Sequence, residues 1–478
     1  MKTLLVIPNI QGKYFKPGQP HVGIAYLAGA LDTRNGFQTK IIDMRLGGRF
    51  AGLAAAVTNY QPDLIGITVT TLNYQESYGL IAKTKKQFPK IPVVIGGPHV
   101  TSFAATILDE TEADFAIVGE GEDAIVELAT QIQRGAADYH HIAGLIWRDG
   151  KTTFTNSPRK PRIDLDSFAF PRYEKSPLGK YLDNKIPILT SRGCPGRCVY
   201  CSVASLFGRN FRTRTPENVF NEISFWHKRG YKYYIINDDC FTAAIPRAEK
   251  ICDLIINHQL DIRWECRNGI RMDRLTPALA AKMKQAGCCF VAFGLESANQ
   301  HNLDAMRKGI TIAQAHQAIK IVKEAGIDFG LFFMIGTPGD TFTNFLDSYN
   351  FAKTSGAQEV RFYNALPYPG TDFFSWVEQH GRFLYSPDRY LNSLDRWDET
   401  PVFETNEFPK KERIKAFRMG EELVMRAFFR KYFGKILVPF CWYAYRNRHL
   451  RALLQVPGEI IWTQLRKLHL KRNMLGRS

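Results

Sequence analysis

The chain has 478 residues, of which 45% are hydrophobic and 13% aromatic, with a mean hydropathy of −0.23. This composition excludes a disordered, collagen-like or coiled-coil protein and supplies apolar side chains for more than one buried core. The net charge is +17, and 17 Lys and Arg against 6 Asp and Glu lie between Pro401 and Ser478. The positive charge therefore belongs largely to the last part of the chain.

The nine cysteines include three within eight residues, a spacing unlike that of secreted disulfide scaffolds, so we predict a reduced, cytoplasmic protein. The apolar run at the N-terminus is ended early by Pro8 and is too short for a signal peptide, which predicts a first β-strand. The longest apolar run, Ile436 to Tyr445, is interrupted by Pro439 and is well short of the roughly 20 residues that span a bilayer. We expect no transmembrane segment.

Residues 1–140 alternate short apolar runs with helical patterns. Apolar runs without polar alternation are typical of parallel strands covered on both faces, which predicts a doubly wound, Rossmann-like α/β sheet. The expected strands are Leu4 to Ile7, Thr39 to Ile42, Leu64 to Val69, Val93 to Ile95 and Phe115 to Val118. Such a sheet binds ligands beyond the carboxyl ends of its strands.

The rest of the chain divides into three parts. Residues 141–185 are predicted to form a hairpin around Asp149-Gly150 and a Pro-rich linker. Residues 186–375 contain six further strand–helix units, which fit a full or partial (β/α) barrel with its chemistry at the strand carboxyl ends. Residues 376–478 are expected to form a basic helical region.

Three cysteines, Cys194, Cys198 and Cys201, lie in the loop that follows the first predicted barrel strand. Three thiolates converging in one loop form a metal-site pattern. Zinc is an alternative, but zinc sites use four close ligands and no fourth Cys or His is near in sequence. Thiolates are the usual ligands of iron–sulfur clusters, and three ligands on a four-iron cluster leave one iron free.

This Cx3Cx2C loop resembles the signature of the radical S-adenosylmethionine (radical SAM) superfamily. The resemblance implies that Cys194, Cys198 and Cys201 hold a [4Fe-4S] cluster whose free iron chelates S-adenosylmethionine. One-electron reduction then cleaves that molecule to a 5′-deoxyadenosyl radical. Tyr200 matches the aromatic position of the family at the adenine, and loop packing is the alternative role for its ring.

Asp238 and Asp239, after the second barrel strand, resemble the acidic motif that receives the methionine amino group in this family. Adjacent carboxylates need cations or hydrogen-bond donors nearby, and a solvated turn is the alternative. Relatives often continue this motif differently, and Cys240 at the next position is interpreted as a small buried thiol.

Two later segments match the same family. Glu296 and Ser297 resemble a Gly-x-Glu-Ser element that contacts the ribose and carboxylate of S-adenosylmethionine. Arg271, after the third strand, suits the carboxylate through its guanidinium fork, and a surface salt bridge is the alternative.

A doubly wound domain before such a barrel resembles the cobalamin-binding members of the family. In this resemblance two glycine-rich segments line the corrinoid and its nucleotide tail: Gly96, Gly97, Gly119, Glu120 and Gly121. The Asp-x-His-x-x-Gly element that supplies a cobalt ligand elsewhere is absent, and neither His21 nor His99 has its context. We therefore predict base-off cobalamin without a protein histidine ligand.

The resemblance implies an enzyme that methylates an unactivated carbon of a small molecule, using methylcobalamin and a one-electron reductant such as flavodoxin or ferredoxin. An oxidative cyclase resembling anaerobic magnesium-protoporphyrin monomethyl ester cyclase is an alternative, and a non-catalytic corrinoid-binding protein is another. Because the positive charge lies away from the cysteine loop, nucleic acid is not the expected substrate.

The basic C-terminal region has two interpretations. It contains Trp442, Tyr443, Tyr445 and Trp462 among Lys and Arg residues, a composition typical of helices at membrane interfaces. That interpretation places the protein peripherally at the inner membrane face, with a lipid-like or tetrapyrrole substrate. The alternative is a helical lid packed on the barrel.

Overall fold

The computed structural model describes residues 1–9, 17–150, 152–208, 210–393 and 399–446. Within this part of the chain, two largely parallel sheets lie in successive α/β units, followed by a mainly helical region. The predicted fold class is thereby confirmed.

The first sheet has seven strands in the order β2-β1-β3-β4-β5-β6-β7. Its first five strands are parallel, as their unbroken apolar sequences predict, and all are close to the expected positions. The strands are β1 (Lys2–Ile7), β2 (Gln38–Asp43), β3 (Leu64–Thr68), β4 (Val93–Gly96), β5 (Phe115–Ile117), β6 (Leu145–Asp149) and β7 (Thr152–Thr155). The helices are α1 (Val22–Asp32), α2 (Phe50–Tyr60), α3 (Tyr74–Gln87), α4 (Pro98–Ser102) and α5 (Glu122–Gln133).

The predicted hairpin extends this first sheet. Strand β6 pairs antiparallel with β5, with Phe115 opposite Trp147, and β7 pairs antiparallel with β6. The apolar side chains of the hairpin explain why it joins the sheet. Trp147 is 4% exposed and packs in the cluster that covers one face of the sheet. The linker between the two sheets therefore begins after the hairpin.

The second sheet has six parallel strands in the order β15-β14-β13-β12-β11-β8. Because β8 and β15 are its edges within the described residues, the barrel is partial. The strands and helices of this part are β8 (Ile186–Ile188), β9 (Ser191–Arg192), α6 (Val203–Phe207), β10 (Arg212–Thr213), α7 (Pro216–His227), β11 (Tyr233–Ile236), α8 (Ile245–Asn257), β12 (Arg263–Cys266), α9 (Pro277–Gln285), β13 (Cys288–Glu296), α10 (Gln300–Ala305), α11 (Ile312–Glu324), β14 (Asp328–Ile335), α12 (Phe342–Ser355) and β15 (Glu359–Asn364).

Threonine caps start most helices that cover the second sheet. A threonine hydroxyl oxygen accepts a hydrogen bond from the backbone amide three residues later, which satisfies a donor that the first helical turn leaves free. This contact precedes α7, α9, α11 and α12, with Thr215, Thr276, Thr311 and Thr341 as the caps. These threonines thus mark the positions at which the loops after the strands end and the helices begin.

The C-terminal region packs on the second sheet through α15. It comprises α13 (Asp372–His380), β16 (Gly381–Phe383), α14 (Pro387–Ser393), β17 (Phe403–Thr405), α15 (Lys410–Phe433) and α16 (Val438–Arg446). Arg413 of α15 is fully buried and donates hydrogen bonds to the carbonyl oxygens of Phe403 and Ile335, at 2.6 and 3.0 Å. The first part of the basic region is therefore core structure, whereas Trp462 lies outside the described residues.

No helix among the described residues combines the length and apolar character that crossing a membrane requires.

Candidate active site at the cysteine loop

The cysteine loop, residues 193–211, is closed at its base by the two-stranded ribbon of β9 and β10. Ser191 pairs with Thr213 and Arg192 with Arg212 in antiparallel register. The loop follows β8 at the carboxyl end of the second sheet, which is the catalytic end of an α/β barrel.

Gly196 lies between two of the three cysteines. Its backbone amide donates to Cys194 Sγ at 3.4 Å. A Cβ at this position would lie 3.3 Å from Cys194 Sγ, 3.9 Å from Cys198 Sγ and 3.6 Å from Arg271 Nη1. The absence of a side chain thus leaves a small cradle between two sulfurs and a guanidinium group.

Cys194 and Cys201 of this loop have perturbed pKa values. A hydrogen bond from the Cys240 thiol, together with the Gly196 amide and Arg271, lowers the pKa of Cys194 to about 6. Burial raises the pKa of Cys201 to about 11, and the neighbouring cysteines add to that shift. Cys240 is fully buried, as predicted for a small thiol, but its contact with Cys194 was not foreseen.

The arrangement fits a cluster better than a single zinc ion. Among the described residues, which include all three cysteines, no three Cys, His, Asp or Glu side chains are close enough to hold one metal ion. The ligands of a zinc ion each lie about 2.0–2.3 Å from it, whereas three cysteines on a cluster bind three separate irons. The all-sulfur donor set and the cradle at Gly196 fit a [4Fe-4S] cluster.

Asp238 anchors the cysteine loop from inside the protein. Its carboxylate accepts hydrogen bonds from the Thr190 amide at 2.6 Å, from the Ser191 hydroxyl at 2.6 Å and from the Thr190 hydroxyl. Burial raises its pKa, against the opposing effects of Arg247 and these donors. The side chain is 0% exposed and is occupied by these donors, so its predicted contact with the methionine amino group stays a prediction.

Asp239 and Arg271 remain on the open side of the loop. Asp239 is exposed and accepts one hydrogen bond, from the Gly193 amide at 3.3 Å. Arg271 is half-buried and pairs with Asp273 at 2.9 Å while lying next to Gly196. Arg271 therefore makes an ion pair and also lies beside the cysteine loop, and its predicted contact with the carboxylate of S-adenosylmethionine stays a prediction.

Tyr200, Glu296 and Lys308 form a hydrogen-bonded triad next to the cysteines. Lys308 Nζ donates to the Tyr200 hydroxyl at 2.8 Å and to Glu296 Oε1 at 3.1 Å, and the Tyr200 hydroxyl donates to the same oxygen at 3.2 Å. Glu296 has a φ of +68°, which is strained for a residue with a side chain and is typical of functional positions. Lys308 was not predicted, because its contact with Tyr200 joins residues 108 positions apart.

Ser297 does not take part in the open site. It is 2% exposed, lies 3.5 Å from the Ser348 hydroxyl oxygen, and accepts a hydrogen bond from the Asn299 amide at 3.2 Å. The Ser297 hydroxyl thus takes part in the turn after β13, and its predicted contact with S-adenosylmethionine stays a prediction.

The glycines predicted to line a corrinoid lie at the carboxyl edge of the first sheet. Gly96 ends β4, and Gly97 follows it with a φ of +110°, where a Cβ would lie 2.8 Å from the Val69 carbonyl oxygen. Gly119 and Gly121 lie between β5 and α5, and no atom outside its chain neighbours lies within 4 Å of a Cβ placed at Gly119. Space for a close ligand is therefore open at Gly119, whereas the missing side chains of Gly97 and Gly121 make room for neighbouring protein atoms. The Glu120 side chain between Gly119 and Gly121 faces the second sheet.

Both histidines near this edge have structural contacts. His21 caps α1, its Nδ1 accepting a hydrogen bond from the Ile24 amide at 3.2 Å. His99 Nε2 lies 3.0 Å from the Tyr78 hydroxyl, and its ring stacks on Tyr74 with centroids 4.6 Å apart. Burial lowers the pKa of His99 to about 4 and is the main cause of the same shift at His21.

The sequence of the two sheets matches two known protein families. Residues 188–352 match the family model of the radical SAM superfamily, and residues 15–129 match that of the B12 binding domain. An uncharacterised methyltransferase of Pyrococcus horikoshii is 32% identical over 87% of this chain and 91% of its own length. The chain belongs to the cobalamin-binding radical SAM family.

Two further proteins show how this family varies. Anaerobic magnesium-protoporphyrin IX monomethyl ester cyclase of Rubrivivax gelatinosus is 28% identical over 78% of this chain and 69% of its own length. The radical SAM methyltransferase TsrM of Kitasatospora setae, solved with tryptophan and an S-adenosylmethionine analogue, has a TM-score of 0.69 and 20% identity. That match covers 80% of this chain and 79% of TsrM and shows a shared fold. The family resemblance predicted from the cysteine motif is confirmed.

Proposed function

We propose that this enzyme is a cobalamin-dependent radical SAM methyltransferase that acts on an unactivated carbon of a small molecule. The observation that carries the proposal is the direct contact between two loops: the cysteine loop of the second sheet and the glycine-rich loop after β5 of the first sheet. Arg192 and Arg212, at the base of one loop, bind Glu120 of the other. A cluster site and a corrinoid site on these loops are thereby neighbours.

The residues of the second sheet have two proposed roles: some would hold the cluster, and others would orient S-adenosylmethionine. Cys194, Cys198 and Cys201 would hold a [4Fe-4S] cluster, which, with S-adenosylmethionine, supplies radical chemistry when bound. Asp239 offers an exposed carboxylate for the methionine amino group, and Arg271 offers a guanidinium group for its carboxylate. The triad with Lys308 and Glu296 fixes the ring of Tyr200 for stacking on the adenine.

The residues of the first sheet would hold cobalamin through backbone rather than through a metal ligand. Gly119, where an added Cβ would meet no atom of the described chain, permits a close approach of the corrin or its nucleotide tail, and the backbones of Gly96, Gly97 and Gly121 would form the adjoining edge of the site. His99 Nδ1 has no hydrogen-bond partner among the described residues, but the ring is 3% exposed and stacked. The burial and stacking of His99 support the proposal that no protein histidine ligates the cobalt, and the proposed cobalamin is base-off.

The relatives favour methyl transfer over cyclisation. The Pyrococcus protein, aligned over 91% of its own length, is named a methyltransferase, whereas the Rubrivivax cyclase is aligned over 69%. A methyltransferase of this type consumes two molecules of S-adenosylmethionine and releases S-adenosylhomocysteine beside 5′-deoxyadenosine. A cyclase releases no S-adenosylhomocysteine, so product analysis separates the two functions.

The first test is cofactor content. The chain is purified anaerobically from cells supplied with cobalamin, reconstituted with iron and sulfide, and measured for cobalamin, iron and visible spectrum beside Cys198→Ala and the matched Cys289→Ala, which changes an exposed cysteine of β13. We expect near one cobalamin per chain in all three proteins and loss of the cluster spectrum in Cys198→Ala alone. A wild-type protein that forms the cluster but binds no cobalamin would contradict the proposal.

Two partners complete the proposal. A one-electron donor of the flavodoxin or ferredoxin type would reduce the cluster. An anionic membrane surface would meet the end of the C-terminal region, where Ile436 is 92% and Phe440 72% exposed. A protein held at a membrane in this way would suit a lipid-like or tetrapyrrole substrate.

A further inference from the structure

Two arginines stand opposite each other at the base of the cysteine loop. Arg192 and Arg212 are register partners in the β9–β10 ribbon, and Arg192 precedes Cys194 by two residues. Their guanidinium groups point away from the second sheet and meet the glycine-rich loop of the first sheet. They join the two halves of the enzyme at the point where each half is expected to hold a cofactor.

The contacts link four charged side chains in a row, from Glu122 through Arg192 and Glu120 to Arg212. Arg212 binds Glu120 in a bidentate fork, with N–O distances of 2.7 and 3.0 Å. Arg192 bridges Glu120 at 3.1 Å and Glu122 at 2.5 Å. The charges balance, with two cations against two anions.

This network is buried. All four side chains are at most 10% exposed. Burial alone would raise the pKa of Glu120, but the hydrogen bonds and charges of Arg212 and Arg192 hold it below its ordinary value. Removing four charges from water is expensive, and apolar residues of similar volume often stabilise a fold as well or better. A gain in folding stability is therefore a poor explanation for this buried network. A better explanation is that it holds the cysteine loop and the glycine-rich loop in a fixed position relative to each other.

Both ends of the network lie beside the proposed cofactor sites. Glu120 lies between Gly119 and Gly121 in the loop that the sequence predicts to line the corrinoid, and Arg192 and Arg212 lie immediately before and after the cysteine loop. The bidentate contact is directional, so a displacement of one loop that the side chains cannot follow would break it. The two loops therefore move together or lose these hydrogen bonds.

We propose that the Glu120–Glu122–Arg192–Arg212 network couples the two cofactor sites, so that ordering of the cysteine loop by the cluster tightens the binding of cobalamin. The inference rests on the proposed function, because it assumes a corrinoid at the glycine-rich loop. The four side chains are positioning residues and do not touch the reacting atoms. By linkage, bound cobalamin favours the cluster-bound form of the loop to the same extent.

The experiment measures the affinity for hydroxocobalamin by visible absorption titration, once with the reconstituted protein and once with cluster-free protein stripped by a chelator. Glu120→Gln keeps the size of the side chain and removes its charge, and Arg212→Lys keeps the charge and removes the fork. Glu127→Gln is the matched control, because Glu127 lies on α5 and pairs with Arg159 of the linker without contact to the ribbon. Thermal unfolding of each protein is measured in parallel.

We expect wild type and Glu127→Gln to bind hydroxocobalamin at least about 5-fold more tightly with the cluster than without it, the lower end of typical coupling between sites. Glu120→Gln and Arg212→Lys should each still bind one cobalamin, with a ratio below about 2-fold. An equal ratio in both variants and wild type, or a wild-type ratio near one, would overturn the inference. A wild type that binds no cobalamin in either form would instead refute the corrinoid site itself.

Discussion

The carboxylate of Asp238 accepts a hydrogen bond of 2.6 Å from the backbone amide of Thr190, 48 residues earlier in the chain. The contact joins the end of β11 to the segment between β8 and the cysteine loop. Two hydroxyl donors, from Thr190 and Ser191, complete the set. The acidic residue that the motif suggests for substrate binding thus sets the position of the cysteines.

Asp238→Ala should destabilise the protein and impair cluster assembly. The substitution leaves three buried donors without an acceptor, and the free energy of unfolding should fall by about 3 kcal/mol. Urea unfolding of the cluster-free protein measures that loss, and iron per chain after reconstitution should fall with it. Asp239→Ala is the matched control, because its exposed side chain should change stability by no more than about 0.5 kcal/mol.

The Asp239→Ala variant also tests the proposed role of Asp239 in binding S-adenosylmethionine. If its carboxylate receives the methionine amino group, Asp239→Ala should bind S-adenosylmethionine about 10- to 100-fold more weakly in the cluster-loaded protein, the range expected for a charged hydrogen bond. Calorimetric titration measures the dissociation constant. Unchanged affinity with an intact cluster would remove Asp239 from the site.

Much of the fold follows from local sequence. Buried parallel strands are short apolar runs, so their positions were predicted within a few residues, and β12 runs from Arg263 to Cys266 as expected. The cysteine loop was found because its ligands are close in sequence. The side-chain roles that local sequence does not reveal depend on contacts between distant residues. Asp238 and Asp239 are adjacent, yet only Asp238 accepts hydrogen bonds from Thr190 and Ser191.

The same reason explains the residues that were missed. Lys308 contacts Tyr200, 108 residues away, and Arg212 contacts Glu120, 92 residues away, and neither residue belongs to a local pattern. The sequence predicts that Glu120 lines the corrinoid, because it lies between two glycines. Its side chain acquires a role only when the two sheets pack together.

His99 should make the enzyme sensitive to acid. Its pKa is lowered to about 4 by burial, whereas an unfolded histidine has a pKa of about 6.5. The stability that it contributes is therefore present above pH 6.5 and is lost as the pH falls toward 4. At pH 4.5 this loss amounts to about 2–3 kcal/mol.

His99→Phe should remove this part of the acid sensitivity, since phenylalanine preserves the stacking on Tyr74 without a titrating group. Urea unfolding of the cluster-free protein at pH 7.5 and 4.5 gives the change in stability for wild type and variant. His380→Phe, which replaces an exposed histidine at the end of α13, serves as control. Parallel losses of stability in wild type and His99→Phe would contradict the assignment.

The proposed membrane contact predicts that the end of the C-terminal region is required for binding to anionic vesicles. Residues 435–478 contain nine Lys and Arg and a single acidic residue, and each basic residue near an anionic surface contributes about 1 kcal/mol. Removal of residues 411–478 would be a poor test, because it deletes Arg413 and the buried part of α15. A chain that ends at Gly434 keeps that core contact and removes the exposed apolar residues.

The truncated chain should lose binding to vesicles of phosphatidylcholine and phosphatidylglycerol in sedimentation, while its cluster and cobalamin content stay unchanged. The double variant Ile436→Ser, Phe440→Ser should bind at least about 10-fold more weakly, because each serine removes an apolar side chain worth about 1.5–3 kcal/mol when buried. Ile163→Ser is the matched control, since Ile163 is 83% exposed but lies in the linker. Equal vesicle binding by full-length and truncated chains would exclude the membrane as the partner of this surface and leave the helical lid as its function.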